Sequence, residues 1–501
     1  MGGKNFETTS RTEGGAAVIS GPLDMSPVRV HGLSDDDQRE LSQLMDVWRA
    51  KFQRNSLRRS YYDAHNRFKD LGISIPPHLK KTPTVVGWPA KAVDSLAARS
   101  MFDGFVSPGS GDDPLGLREI LDANQFDSMY AQGVVSELIH CCAFITVTAG
   151  DEAAGDPPVL ISLRSAEFAA ALWDMRHRRI RSGMAVVDVD PTNPSIPTAI
   201  TLYLADKIVQ CAKQGAGWQV VSQTPNMVGR PVMEAMPFRP DESRPFGKSR
   251  ISREIMSITD SAQRAALRAE VLMEFNTAPQ KYLLGADGDL FEDGSRWKSY
   301  MDSIIGVSRD EDDNVPSFGQ LAQVSPDGAI SYLQHLAARF AGATGLPVAS
   351  LGIVTANPSS AQAISEARDD LVTEAQALNR VNNIALSNVA RIALAVRDGV
   401  SVNELADDAR HVRAKFRNPS MPSISSQSDA MVKQISALPW LANTTVALEE
   451  LGYTEEQITR LLADKRRAQA PDAVAVLLGE AGVADKEELP PSQGQLNQTA
   501  H

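Results

Sequence analysis

From Ile251 to Phe275 the chain carries one unbroken stripe. Ile251, Ile255, Ile258, Ala262, Ala265, Ala269 and Leu272 follow at alternating spacings of four and three, which is the repeat of a single helix face. About 25 residues at 1.5 Å each predict roughly 37 Å of helix, with Ser249 as the expected N-cap. After Ile258 the stripe turns to alanine. Small side chains let neighbouring backbones approach closely but bury little area each. Ile251, Ile255, Ile258, Ala262, Ala265 and Ala269 are therefore expected either as a face for lateral packing on similar helices or as an ordinary core face.

Two more helices follow in the same half of the chain. Ser325 with Pro326 opens one whose stripe is Ile330, Leu333, Leu336 and Phe340, and Gly342, Gly345 and Pro347 end it. Ser359 with Gln362 forms a capping box for the other. Its stripe is Ile364, Ala367, Leu371, Leu378, Ala385 and Ile392, and it reaches about Val396, roughly 54 Å of helix. That length exceeds the usual globular range and points to a large assembly or a kink. Between the first two helices, residues 277 to 324 read as an insertion with turns at Gly285, Gly288, Gly294 and Gly306; from Asp287 to Asp313 it holds nine acids against three bases. Between the second and third, Leu346 to Pro358 contains no charged residue.

The first half differs. Ser34 followed by Asp35, Asp36 and Asp37 is an N-cap with acids in the first turn, opening a helix through Leu41, Leu44, Trp48 and Phe52 that could continue to about Leu71. Gly87, Trp88 and Pro89 lead into a short helix with Val93, Leu96 and Ala97. Ala143 to Thr148, Met184 to Val189 and Ile200 to Tyr203 are β-favouring runs separated by turn residues. They predict antiparallel strands in an α+β fold. The strand–helix alternation of a doubly wound nucleotide-binding sheet is missing. Near the end, Thr454 with Gln457 is another capping box, with Lys465, Arg466 and Arg467 in the last turn.

With 62 acidic residues against 50 Lys and Arg the net charge is −12, so tight binding of nucleic acid would require bases gathered on one face. Hydrophobic residues make up 43% of the 501, enough to exclude wholesale disorder, and the length predicts roughly two to four domains. No apolar run approaches about 18 residues and the start has no apolar leader, so a soluble intracellular product is expected. Cys141, Cys142 and Cys211 cannot make a disulfide framework or a zinc site and are expected as small buried apolar residues.

Catalytic signatures are weak. Gly247-Lys248-Ser249 imitates the end of a phosphate loop, but the earlier glycine such a loop needs falls at Glu242. Neither H-E-x-x-H nor G-x-S-x-G occurs, and the eight histidines show no metal-ligand spacing. Asp63 and His65 are expected to diverge around a helix as surface residues. Arg58-Arg59 and Arg176-His177-Arg178-Arg179 with Arg181 are expected as solvated faces. No catalytic residue, cofactor or metal is predicted.

The order of these pieces resembles the portal proteins of tailed bacteriophages, in particular the siphophage family of about this length. The resemblance rests on Gly87-Trp88 to Val93-Asp94-Ser95-Leu96-Ala97-Ala98-Arg99 with Gly104-Phe105, on Phe246-Gly247-Lys248-Ser249-Arg250 opening a long helix that ends near Asn276, Ala278 and Pro279, and on Ala343-Thr344-Gly345-Leu346-Pro347. Asn357-Pro358-Ser359-Ser360-Ala361 with Ile364 and Ala367, and Leu451-Gly452-Tyr453-Thr454, complete it. It spans roughly residues 30 to 467.

The resemblance implies a non-enzymatic subunit of a dodecameric ring at one capsid vertex, in the virion and, during assembly, in the host cytoplasm. It implies a mobile arm over 1–30, a wing over 31–247, stem helices over 248–276 and 326–345, and a clip over 277–325. A tunnel loop over 346–359, a long wing helix and return over 360–425, a crown over 426–470 and a mobile tail over 471–501 follow. The implied partners are other copies of the chain, the terminase large subunit, the head-completion adaptor, the major capsid and scaffolding proteins, and the double-stranded DNA that passes through; no membrane is implied. Gly352, Ile353, Val354, Thr355, Ala356 and Asn357 would form the tunnel loop facing the DNA. Asp287, Asp289, Glu292, Asp293, Arg296 and Lys298 would lie at the docking clip. A capsid or scaffolding protein would also be acidic and enzyme-free but would lack this helix order, and an enzyme of nucleic-acid metabolism would need a metal or phosphate site.

Overall fold

Ser34 caps the first helix: its side chain accepts from the Asp37 N–H, and α1 runs Asp35–Tyr62. It stops short of Leu71 because Asp63 takes the C-cap and Ala64 turns to φ 54°. The computed structural model describes residues 27–69, 84–107, 114–215, 217–277, 281–284, 317–320, 325–353, 361–420, 424–453 and 457–468. The chain divides into two compact units, the first ending at Ser420 and the second starting at Met421.

In the first unit the helices after α1 are α2 (Trp88–Ala97), α3 (Leu117–Ala123), α4 (Phe126–His140), α5 (Arg253–Thr277), α6 (Asp327–Thr344), α7 (Ala361–Asp398) and the short α8 (Asp407–Arg410). The strands are β1 (Val30–His31), β2 (Phe102–Val106), β3 (Cys142–Ala149), β4 (Val159–Ser165), β5 (Ala169–Asp174), β6 (Arg179–Val189), β7 (Pro197–Tyr203), β8 (Lys207–Gln214), β9 (Gly217–Pro225), β10 (Met233–Pro237), β11 (Lys281–Leu284), β12 (Ser317–Gln320) and β13 (Arg413–Phe416). The three β-favouring runs lie in β3, β6 and β7. The class is α+β as expected.

Strands β5 to β9 form an antiparallel meander, and β1 adds to its far edge in parallel, giving the order β1-β9-β8-β7-β6-β5. One face of this sheet carries Met184, Val186, Ile200, Leu202 and Val209, which pack against Leu41, Leu44, Met45, Trp48 and Phe52 of α1. Trp48 is 2% exposed, and its indole N–H donates to the Glu167 carbonyl at 2.7 Å, so the buried ring keeps a partner. A second, larger core surrounds the sheet β10-β3-β4, with α2, α4, α5 and α7 contributing side chains to it.

Helix α5 begins two residues later than its stripe suggests. The Ser252 hydroxyl accepts from the Ile255 N–H, whereas the buried Ser249 hydroxyl donates to the Ile139 carbonyl at 2.5 Å and accepts from the Ile251 N–H. Ser249 is taken by the end of α4 and so cannot cap α5. Helix α6 ends as predicted, with Gly345 at φ 64° returning its N–H to the Ala341 carbonyl, a conformation glycine adopts without strain. Helix α7, at 38 residues, matches the predicted length; its capping box at Ser359 lies outside the described residues.

The second unit holds α9 (Ile424–Ala437), a short turn Pro439–Asn443, α10 (Thr445–Glu450) and a helix over 457–468. Thr444 caps α10 through the Ala447 N–H; the Thr454 capping box lies outside the described residues. No helix among the described residues is long and apolar enough to cross a membrane.

Candidate functional site

The insertion and the helices that flank it are the natural place to build from. Strands β11 and β12 pair antiparallel, Lys281 opposite Gln320 and Leu284 opposite Ser317, so a two-stranded ribbon closes the base of the segment between them. Asp287, Asp289, Glu292, Asp293, Arg296 and Lys298 lie outside the described residues. Below the ribbon α5 packs on α6. Ile251, Ile255, Ile258, Ala262 and Ala265 are each 2% exposed or less and share one core with Leu336 and Phe340 of α6.

The stripe is therefore occupied inside its own chain, as the ordinary core-face alternative had it. Toward the ribbon the buried positions change: Leu267 and Val271 pack beside Phe68, whereas Ala269 is half-buried. Ile330, expected in the stripe of α6, is 46% exposed, as are Tyr332 to the same extent and Met273 of α5 to 53%. Both helices outrun the core at the end nearer the ribbon, so a period that predicts burial there has nothing to be buried against.

At the other end a cluster of polar groups fixes the pair. Gly247 has φ 76°, and a Cβ there would stand 2.2 Å from the Phe238 carbonyl oxygen, so only glycine fits. Lys248 is pinned by its ammonium to Asp241 at 2.7 Å. That hydrogen bond, with another from Ser243, holds the Asp241 carboxyl down to about 2. Arg250, 7% exposed, donates from Nε to the Ala92 carbonyl at 2.8 Å and from Nη2 to the Thr344 carbonyl at 2.7 Å, and its Nη1 pairs with Glu374. One guanidinium thus joins α2, the C-terminal end of α6 and α7, satisfying a helix-end carbonyl with positive charge. Gly247-Lys248-Ser249 is a backbone clamp, and its lysine is bound to a carboxylate.

Two further networks position the helices. Asp260 of α5 accepts from the Tyr61 hydroxyl at 2.7 Å and pairs with Lys69 at 2.6 Å, while Asn66 donates to Gln263 at 2.9 Å. Its bond to Asp260, with another to the Tyr61 hydroxyl at 2.9 Å, raises the Lys69 ammonium above its ordinary range. Between α4 and α7, Asn382 donates to one carboxyl oxygen of Glu137 at 2.9 Å, Tyr130 and Ser100 hydroxyls meet at 2.7 Å, and Ser100 donates to Asn379 at 2.6 Å. Glu137 is fully buried, and its other oxygen has no hydrogen-bond partner among the described residues. Burial pushes its carboxyl up to about 8, because a charge there would lose its hydration.

The other sequence candidates separate. Gly352, at φ 81°, ends a short turn Val348–Leu351 and is exposed; Ile353 is half-buried. Val354, Thr355, Ala356 and Asn357 lie outside the described residues. The basic run forms the exposed turn between β5 and β6, with His177 against Asp174 and Arg181 against Glu40. Arg58 departs from the expectation of a solvated face: its guanidinium reaches inward to the His140 carbonyl at 2.9 Å. Cys142 and Cys211 are buried, but Cys141 is only half-buried, at φ 97°. A hydrogen bond from Cys142, together with the positive field of Arg58, Arg54 and Lys51, draws its thiol below the ordinary range. Among the described residues no group of three His, Cys, Asp or Glu could hold a metal ion.

What the geometry defines, then, is an α+β chain whose polar networks are spent on fixing helices. Two curated proteins named portal protein are similar to it. That of Mycobacterium phage L5 is 25% identical over 379 residues, covering 75% of this chain and 77% of the relative. That of Mycobacterium phage D29 is 24% identical over 400 residues, covering 79% and 81%. These relatives support a phage portal protein. Among solved structures, a chain from the neck of a native GTA particle computed with C12 symmetry aligns at a TM-score of 0.40 and 12% identity, covering 73% of this chain and 89% of that one. No protein-family model matches the chain.

Proposed function

We propose that this chain is the ring-forming subunit of a phage portal, a virion component at one capsid vertex and not an enzyme. Twelve copies surround a channel through which double-stranded DNA is packaged and later ejected. In this reading α5 and α6 are the stem, the segment 277–325 is the clip, 346–359 is the tunnel loop, 31–247 with α7 is the wing, and 426–470 is the crown. The clip docks the terminase large subunit during packaging and the head-completion adaptor afterwards; capsid and scaffolding proteins surround the ring. The observation that carries the reading is the similarity to two portal proteins over three quarters or more of this chain. The α5–ribbon–α6 arrangement supports it, because the two helices that flank the acidic insertion in sequence pack on each other, with a two-stranded ribbon between them in the chain.

The charge pattern suits the task. A duplex must slide through such a channel, and each contact that neutralises phosphate strengthens its hold on DNA. Nine acids against three bases in the insertion, and none of either in the loop Leu346 to Pro358, leave the DNA few cations to adhere to. Replacing Asp287, Asp289, Glu292 and Asp293 by their amides is expected to increase DNA retention in packaged particles. Retention and packaging rate equal to those of the parent would exclude this role for the insertion.

Imaging the purified full chain by negative-stain electron microscopy, with its mass measured in solution, tests the reading itself. Rings with a central hole are expected, and a discrete compact dimer across salt conditions would overturn it.

A further inference from the structure

The basic groups that the proposed function leaves unused converge on one cavity of the first unit. It has a volume of about 250 Å³ and is lined by Arg391, Val402, Asn403 and Arg410. Arg391 stands on α7, Val402 and Asn403 on the short turn Val402–Glu404, and Arg410 at the end of α8. The two arginines come from different elements, so the folding of unit one brings them together.

Neither cation is neutralised. Arg391 donates from Nη1 to the Asn388 amide oxygen at 3.1 Å, and its Nε is buried without an acceptor. Arg410 donates from Nη2 to the Asn403 carbonyl at 2.6 Å. Neither makes an ion pair with a described residue. The acids nearby are engaged or turned to water. Glu234, 7% exposed, is bound to Arg230. Glu404 accepts from the Ser401 N–H at 3.1 Å, and Asp407 and Asp408 are exposed.

More positive charge stands behind the first pair. Burial first, and then the fields of Arg413 and Arg230, depress the basicity of Arg391; among the described residues Glu234 opposes them. Arg179, from the base of the basic β5–β6 turn, acts on the same Glu234. Glu234 is already spent on Arg230, so Arg391 and Arg410 cost free energy side by side unless a further anion joins them.

We propose that this cavity is an oxyanion site whose ligand is a phosphate group, held between the Arg391 and Arg410 guanidinium groups with the Asn403 side available for a further contact. Planar guanidinium forks match tetrahedral oxyanions by paired, charge-assisted hydrogen bonds. The volume suits a small ion: it is several times the roughly 30 Å³ share of one water and lies under the about 300–1,000 Å³ of pockets for organic ligands. The phosphate has two possible sources, free inorganic phosphate or the backbone of DNA.

The test uses the purified full chain. Inorganic phosphate is expected to raise its melting temperature by several degrees above that in sodium chloride of equal ionic strength, since a ligand that binds only the folded state stabilises it. Arg410→Gln, at an exposed position that leaves the fold intact, is expected to weaken phosphate binding by about tenfold or more, the loss of one charged hydrogen-bonding group. Arg391→Lys keeps the charge but loses the fork, and is expected to weaken it by a smaller factor.

A short DNA duplex is titrated in parallel. Duplex binding that falls in Arg410→Gln and is competed by inorganic phosphate assigns the site to the DNA backbone; phosphate binding without duplex binding assigns it to the free ion. A melting temperature that phosphate and chloride raise equally, or a phosphate effect undiminished in both variants, overturns the proposal. The outcome is independent of ring formation, so it can fail while the portal reading stands.

Discussion

Replacing Glu137 by glutamine is expected to remove a large loss of stability that sets in as pH rises. In the folded chain the Glu137 carboxyl is raised to about 8 from an ordinary 4.5, so the fold binds its proton more tightly than the unfolded chain does. Stability is then fully present below about 4.5, declines as pH rises, and reaches its loss above about 8. The integrated penalty is on the order of 4–5 kcal/mol. The groups around it, Asn382, Tyr130 and Cys141, bring no cation to hold the carboxylate in its charged form. Glutamine keeps a similar shape and a carbonyl for Asn382 but has nothing to ionise. Urea denaturation at pH 5, 7 and 9 checks this: relative to the parent, the Glu137→Gln midpoint is expected to gain progressively across the series, because only the parent must ionise a buried carboxyl at this position. Parallel decline in both proteins would mean that the pH response lies elsewhere.

The second large effect is expected at Glu374. Removing its carboxylate in Glu374→Ala leaves the Arg250 guanidinium, whose side chain is 4% exposed, charged and without its counterion. Truncating one partner of a buried pair costs about 3–5 kcal/mol, and here the guanidinium left behind also holds the carbonyls of Ala92 and Thr344. The double change Arg250→Met with Glu374→Leu is expected to recover much of the loss, because apolar replacement of both partners removes the unpaired charge. A Glu374→Ala midpoint within about 1 kcal/mol of the parent would show that water reaches Arg250.

Local signals in the sequence located much of the fold. Ser34 and the Asp35–Asp37 turn mark α1, and Gly345 marks the end of α6, because a cap is chemistry between residues three or four apart. The long stripes of α5 and α7 are legible for the same reason. What the pattern could not give is who buries each stripe. Ile251 to Ala265 looks alike whether it faces another helix of the same chain or of a neighbour, and Leu336 and Phe340 that cover it lie some seventy residues on.

The error at Ser249 has a similar origin. It is a good capping residue by position, but carbonyls from Leu138 and Ile139, more than a hundred residues earlier, take its hydroxyl. Strands β8 and β9 escaped the reading because polar residues interrupt their apolar ones, and β5 because half of its six residues are alanine, which strands disfavour. The two arginines that line the 250 Å³ cavity, Arg391 and Arg410, were invisible as a pair, since they stand on different elements nineteen positions apart.

The burial of the α5 stripe against α6 bears on the order of events in the cell. From Ile251 to Ala265 that face needs no neighbouring copy to be covered, whereas Met273, Ile330 and Tyr332 toward the ribbon stay exposed in the single chain. Under the proposed portal reading, joining with further copies is then a matter of mass action, set by how many folded subunits are present, and the number made would govern when assembly starts rather than whether this face is covered.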